Sequence, residues 1–249
     1  IIMNENKNKK LSKAEPFPIF YSLRNCPFAM RARIAIFKAQ QTVLLRDLVL
    51  TNKPSEMLIA SPKGTVPVLV LKNGKVIDES LDVMLWALRE TDPDDLLHRY
   101  LDNEQALIEI DMLMFINEFD IGFKACLEQY KCAKRYKEGN IEQCRTACEL
   151  YVEKLEQRLT AHLFLFSDKE SLADIALLPF IRQFARIERQ WYLQSPYPKL
   201  RQWLTNYLQS PMFTKVMAKY PLWLTNNEII LFGGSGSSFE TASYHSDII

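Results

Sequence analysis

A thiol set at a strand-to-helix turn constrains this chain more than any other feature. In Phe17–Arg31 a short apolar run, Ile19-Phe20-Tyr21, reads as a strand and polar Ser22–Asn25 as a loop. Cys26-Pro27 then opens a helical pattern. Pro27 suits the first helical position, because its missing N–H would have had no intrahelical acceptor. That puts Cys26 in the cap position, where unpaired helix-start N–H groups and the helix dipole favour an anion. The thiolate, not the thiol, is the nucleophile. The plainer reading of a free cysteine is a small buried hydrophobe, and the local pattern alone leaves both open.

The segments beyond the turn set the topology. Phe28, Ala32, Ala35, Ile36 and Ala39 make one helical stripe, and Thr42–Leu50 is apolar and β-branched enough for a second strand. β-α-β favours parallel strands with a right-handed crossover. Thr51–Ser61 predicts a short helix or irregular turn, punctuated by Pro62-Lys63-Gly64. Val66–Leu71 reads as a strand with proline near its start, where no ladder N–H is needed. Asn73-Gly74 predicts a hairpin turn with both residues at positive φ, and Val76-Ile77 the returning strand. Asp78-Glu79-Ser80 opens a helix to Arg89, with Ser80 or its neighbour as cap. The expected product is a thioredoxin-like α/β domain with a four-stranded mixed sheet, over 17–90, after a flexible leader at 1–16.

Acidic, turn-rich Thr91–Asp95 marks a linker, 91–97, beyond which strand signals largely vanish. Residues 98–224 predict an all-α C-terminal domain. Leu101–Tyr130 carries one long helical pattern with a break near Gly122. Asn140 with Gln143, and Ser171 with Asp174, resemble capping boxes. The second opens a helix to about Arg189 whose interior is apolar nearly all round, so it should be buried. Pro179 inside that helix predicts a kink or break. Two shorter helices are expected at Tyr197–Leu208 and Pro211–Ala218. Residues 225–249, rich in glycine and serine, read as a flexible tail.

Composition narrows the function. The chain has 31 basic and 30 acidic residues, a net charge of +1, which argues against a nucleic-acid partner. No apolar run approaches a membrane span, and the lysine-rich start lacks the apolar core of a signal peptide. Five cysteines, an odd count in 249 residues, do not make a disulfide framework, so a reducing, cytoplasmic setting is expected. No Cys-x-x-Cys pair occurs and the three histidines are scattered, so no metal site is expected.

Five spaced segments together carry a family resemblance. They are Ser22-x-x-x-Cys26-Pro27-Phe28-Ala29-x-Arg31, Asn52-Lys53-Pro54, Val66-Pro67, Asp78-Glu79-Ser80 and Ser171-x-Ala173-Asp174. In this order and spacing the chain resembles cytosolic glutathione transferases, most closely the omega class, over about residues 17–222. The resemblance implies glutathione as co-substrate, with Cys26 catalytic and Phe28, Lys53, Val66, Glu79 and Ser80 binding the tripeptide. It implies a structural cis-proline at Pro67, and usually a homodimer. Each role has a physical basis. A strand edge can pair with an extended tripeptide backbone, a helix start can hold its carboxylate, and Lys53 and Glu79 suit its charged ends.

The cysteine type of this family forms a mixed disulfide with glutathione. Ala29 stands where a dithiol enzyme carries its second cysteine, so the cycle should be monothiol, with a small electrophile or disulfide as second substrate. The family's range includes thiol transfer and dehydroascorbate reduction. Phe115, Phe119, Phe123 and Trp191 are candidates for the wall of the second-substrate pocket; core packing is their ordinary fate. Two other readings stay open. One is a dehalogenating or quinone-reducing relative. The other is a regulatory binding protein on the same fold, similar to the stringent-starvation type.

Overall fold

The computed structural model describes residues 15–99 and 105–234. The expected leader falls almost wholly outside the described residues, as do the last fifteen residues of the expected tail. Strand β1 (Ile19–Ser22) leads through the Cys26 turn into α1 (Pro27–Lys38), and β2 (Val43–Asp47) returns parallel to β1, Ile19 opposite Leu44 and Ser22 opposite Asp47. α2 (Ser55–Ala60) is a short helix before β3 (Val68–Val70), which runs antiparallel to β1. β4 (Val76–Ile77) closes the hairpin, and α3 (Ser80–Glu90) comes next. In the hairpin only Gly74 takes positive φ, at +84°; Asn73 instead accepts the Lys75 N–H on its side chain at 3.0 Å.

The sheet has five strands, not the expected four, in the order β4-β3-β1-β2-β5. β5 (Leu231–Phe232) comes from the segment expected to be a flexible tail and pairs antiparallel with β2. Ile230 and Phe232 are buried there. Two residues are too few to stand out by period, and only burial on β2 makes them a strand. Gly233, at φ +92°, ends it where a Cβ would overlap the Gln41 carbonyl oxygen.

The helical layer starts with α4 (Gln105–Glu118), passes through a wide π turn at Phe119–Phe123, and continues as α5 (Lys124–Tyr136). The break expected near Gly122 is this turn. A side chain at Gly122 would overlap the Tyr151 hydroxyl of α6 (Ile141–Ala161). Asn140 precedes α6 without a side-chain cap bond, unlike the capping box expected there. Ser171 does form one. Its N–H and Oγ donate to Asp174 Oδ2 at 3.0 and 2.6 Å, opening α7 (Leu172–Ile187). Asp174 also accepts from Leu165 N–H at 3.0 Å and Trp203 Nε1 at 2.9 Å. α7 runs through Pro179 unbroken, its residues Leu172–Ile181 buried. α8 (Arg189–Gln194), α9 (Pro198–Leu208), α10 (Pro211–Val216) and α11 (Trp223–Asn226) complete the layer.

α1 lies at the centre. It packs on α3, α7 and α10 as well as on the sheet, so residues 29–36 are buried on every face. A single apolar stripe therefore understates it. Two of those residues are arginines, and each is satisfied. Arg33 donates to Ser22 Oγ and to Asp47 Oδ1, both at 2.7 Å, and to the Val216 carbonyl at 3.4 Å. It thereby ties β1, β2 and α10 to one side chain.

Candidate active site

The β1–α1 turn folds as its residues dictate. The Cys26 N–H donates to the Leu23 carbonyl at 3.1 Å, and Cys26 caps α1 with extended backbone, φ −79° and ψ 122°. Proline comes next, so the first N–H the helix can present is that of Phe28. Cys26 Sγ makes no capping bond and lies 4.0 Å from the Val66 carbonyl oxygen. The thiol is half-buried and faces a cleft of about 520 Å³. Leu23, Asn25 and Phe28 line the cleft on one side; Lys53, Lys63 and the Gly64–Val66 backbone line it on the other. The Val66–Pro67 peptide bond is cis, and β3 begins directly after it.

Four of the sequence-predicted residues, Cys26, Phe28, Lys53 and Val66, thus meet in one cleft. Lys53 makes no ion pair among the described residues. Glu79 and Ser80 stand at the start of α3, outside the cleft's lining but linked to it. Glu79 is exposed and accepts from Lys63 Nζ at 2.6 Å. Asp78 accepts the Ser61 hydroxyl at 2.6 Å, which holds its carboxyl below the usual range with help from Lys63. Burial works against the Lys63 charge, but Glu79 and Asp78 outweigh it and raise its pKa. The Ser80 hydroxyl accepts Arg31 Nε at 2.9 Å, so what α3 still offers a ligand is its first-turn N–H groups.

Arg31 is the joint between the layers. Its other two nitrogens grip Asp120 in the π turn at 2.9 and 2.8 Å. Its guanidinium lies 5.3 Å from the Phe180 ring centroid and 5.7 Å from that of Phe28. Lys124, 3.8 Å from Asp120, has its ammonium 4.4 Å from the Phe28 centroid. Burial lowers the Lys124 pKa despite Asp120, and the like charge of Arg31 adds to it. Lys63, Asp120 and Lys124 carried no signal in the sequence, since their importance arises only when the two layers meet.

The aromatic wall expected from Phe115, Phe119, Phe123 and Trp191 is corrected. Phe119 and Phe123 are fully buried and Phe115 nearly so. They stack on one another at 4.9 and 5.5 Å, and Phe123 also meets Phe184 of α7. Trp191 sets its edge on Phe184 at 5.9 Å with Arg145 over its face. Spaced four apart, the three phenylalanines point into the α5–α6–α7 core; none lines the cleft. Tyr21 is committed elsewhere too, its hydroxyl accepting Arg46 Nη1 at 2.8 Å. Among the other cysteines, Cys144 and Cys148 are buried, and burial pushes the Cys148 thiol up to about 12. Among the described residues no group of three or more His, Cys, Asp or Glu could hold a metal ion, and no helix is long and apolar enough to cross a membrane.

Comparison with known proteins agrees with this geometry. The family model for the glutathione S-transferase N-terminal domain matches residues 20–95, and that for the C-terminal domain matches residues 138–206. The chain belongs to the glutathione S-transferase family. Among relatives of this transferase, pyrimidodiazepine synthase of Drosophila melanogaster is 27% identical over 86% of this chain and 88% of its own. Glutathione S-transferase omega-1 of Mus musculus is 25% identical over 84% and 88%. The fold matches a glutathione transferase family member from Pseudomonas fluorescens, solved with two glutathione molecules bound. The TM-score is 0.70 at 14% identity, covering 83% of this chain and 95% of that one.

Proposed function

We propose that this transferase is a glutathione-dependent thiol transferase of omega-like type, working through a Cys26–glutathione mixed disulfide. The observation that carries the proposal is the half-buried Cys26 sulfur at the start of α1, facing the cleft with only a long contact to the Val66 carbonyl beside the Val66–Pro67 corner. The relatives named for omega-class transferases support it.

In the proposed complex, glutathione lies along Val66 as a short added strand, trading backbone hydrogen bonds. Lys53 pairs with its glycine carboxylate. Glu79 leaves Lys63 to accept the γ-glutamyl ammonium, and the Ser80 N–H meets the neighbouring carboxylate. The Phe28 N–H points its partial positive charge at the reacting sulfur. The Cys26 thiolate attacks the glutathione sulfur of a mixed disulfide, and the substrate leaves as its thiolate. A second glutathione thiolate then attacks Cys26–S–SG, releasing glutathione disulfide and the Cys26 thiolate. The net exchange turns one mixed disulfide and one glutathione into one thiol and one glutathione disulfide. Ala29, buried at the next helical turn, can supply no internal thiol, so resolution is external.

A homodimer is part of the proposal. Ile110 and Met114, four apart on α4, and Ile121 in the π turn are exposed apolar side chains that a partner could cover. Sedimentation would read a dimer mass or refute it. Turnover of a glutathionylated peptide with glutathione tests the chemistry. Cys26→Ala should lose essentially all turnover, since the mixed disulfide can no longer form on the cleft. Unchanged turnover in that variant would refute the proposal.

A further inference from the structure

The Lys53 side of the cleft is carried by a short helix. α2 has six residues and buries only Met57, part of a small apolar cluster with Tyr21, Val66 and Val68 that also meets Cys26. A helix of that length is not stable by itself and stays where its tertiary contacts put it. Lys53 runs directly into it through Pro54, whose carbonyl accepts the Met57 N–H at 3.1 Å. The Lys53 ammonium and the Leu58 side chain both rest against Gly64, where a Cβ would stand 3.4 and 3.3 Å from them. Moving α2 therefore moves Lys53 along the cleft wall.

The start of α2 is tied to a distant part of the chain. Trp223 Nε1, 167 positions on, donates to Glu56 Oε1 at 2.9 Å. Arg46 of β2 joins the same pair. Its guanidinium is 4.1 Å from the Trp223 ring centroid, and its Nη1 donates to Glu56 Oε1 at 3.3 Å and to the Tyr21 hydroxyl at 2.8 Å. Burial works against the Glu56 charge, but its own N–H, the Trp223 indole and Arg46 outweigh it and lower its pKa. Trp223 reaches this place because its segment follows the sheet edge. Leu222 bridges Asp47 in parallel, and β5 then pairs with β2. An indole that faces a guanidinium and donates to a carboxylate holds both charges in place. Trp223, Glu56 and Arg46 do not line the cleft, so their effect on a ligand passes through α2.

We propose that Trp223, with Glu56 and Arg46, is a positioning residue for glutathione: this bracket sets α2 so that Lys53 meets the glycine carboxylate. The proposal rests on the glutathione-binding reading of Lys53 and adds a determinant that lies outside the cleft. It gives the segment after Leu222 a part in ligand binding.

Calorimetry on the full chain carrying Cys26→Ala compares glutathione with its glycine ethyl ester, which lacks the negative charge that Lys53 meets. This parent should bind glutathione about tenfold more tightly than the ester, as a charge-assisted pair implies. Lys53→Met should abolish the preference. Trp223→Phe keeps a ring over Arg46 but removes the N–H to Glu56; it should lose most of the preference while binding the ester as the parent does. Glu56→Ala should do the same. Glu56→Gln, whose amide oxygen can still accept the indole N–H, should keep part of the preference. Added to Lys53→Met, Trp223→Phe should cost nothing further. Equal weakening of both ligands by Trp223→Phe would make the bracket merely structural and overturn the proposal. A preference lost in Lys53→Met but kept in Trp223→Phe and Glu56→Ala overturns the bracket alone. Equal affinity of the parent for the two ligands, or a preference that survives Lys53→Met, refutes the Lys53 reading and the bracket together.

Discussion

Replacing Asp120 with alanine should strike the fold and the site together. Arg31 is 3% exposed and Asp120 17%, and two short bonds join them. Removing one partner of such a pair leaves a buried charge unanswered, which costs about 3–5 kcal/mol. Asp120 touches solvent, so the low end applies, about 3 kcal/mol. Lys124 loses its acid partner in the same step and adds a like charge beside Arg31. Urea unfolding followed by circular dichroism measures the loss. A companion variant separates stability from alignment. Arg31→Met with Asp120→Leu removes both charges and should recover most of the stability, because apolar replacement of a whole buried pair is often neutral. It should still raise KM for glutathione, since the Ser80 hydroxyl at the start of α3 has lost its Arg31 donor. A loss below about 1 kcal/mol in Asp120→Ala, the range of an exposed pair, would refute the buried-joint argument.

Two further outcomes come from buried contacts. Asp174→Ala orphans three buried N–H donors, from Leu165, Ser171 and Trp203, and should cost about 3 kcal/mol or more in urea unfolding. Burial pushes the Asp174 pKa up to about 6 from its ordinary 3.8, so the native chain keeps this proton longer than the unfolded one. Stability should therefore fall as pH rises from about 4 to about 6 and then level, and the alanine variant should lack that slope. Gly233→Ala should detach β5, because the new Cβ would overlap the Gln41 carbonyl oxygen at φ +92°. The Leu45 N–H, which donates to the Ile230 carbonyl at 2.9 Å, should then exchange with deuterium much faster; unchanged protection would contradict the edge pairing.

The features legible in the sequence were local. The strand, loop and Cys26-Pro27 helix start could be read because each step has its own residue chemistry, and so could the Ser171–Asp174 capping box. The hairpin at Asn73-Gly74 was equally plain, though only Gly74 needed the left-handed region. Contacts between distant segments were not legible. β5 is two residues whose partner lies some 190 positions away. Arg31 and Arg33 lie off the apolar stripe and would be expected to face solvent, yet both are buried, and nothing in their spacing names Asp120 or Asp47 as partners. The phenylalanines at 115, 119 and 123 show the opposite limit. Helical spacing said they share a face, but not whether that face meets the cleft or the core. The aromatic that lines the cleft is Phe28, paired across the layers with buried Phe180.

The most direct test of the account is intact-mass and peptide mass spectrometry after treatment with glutathione disulfide. Cys26 is half-buried at an open cleft, while Cys144 and Cys148 are buried and the Cys148 thiol is pushed up to about 12. One glutathione adduct on the Cys26 peptide, reversed by added glutathione and absent in Cys26→Ala, is the predicted result. An adduct confined to the peptides carrying Cys126, Cys132, Cys144 or Cys148, with Cys26 unmodified, would contradict the account.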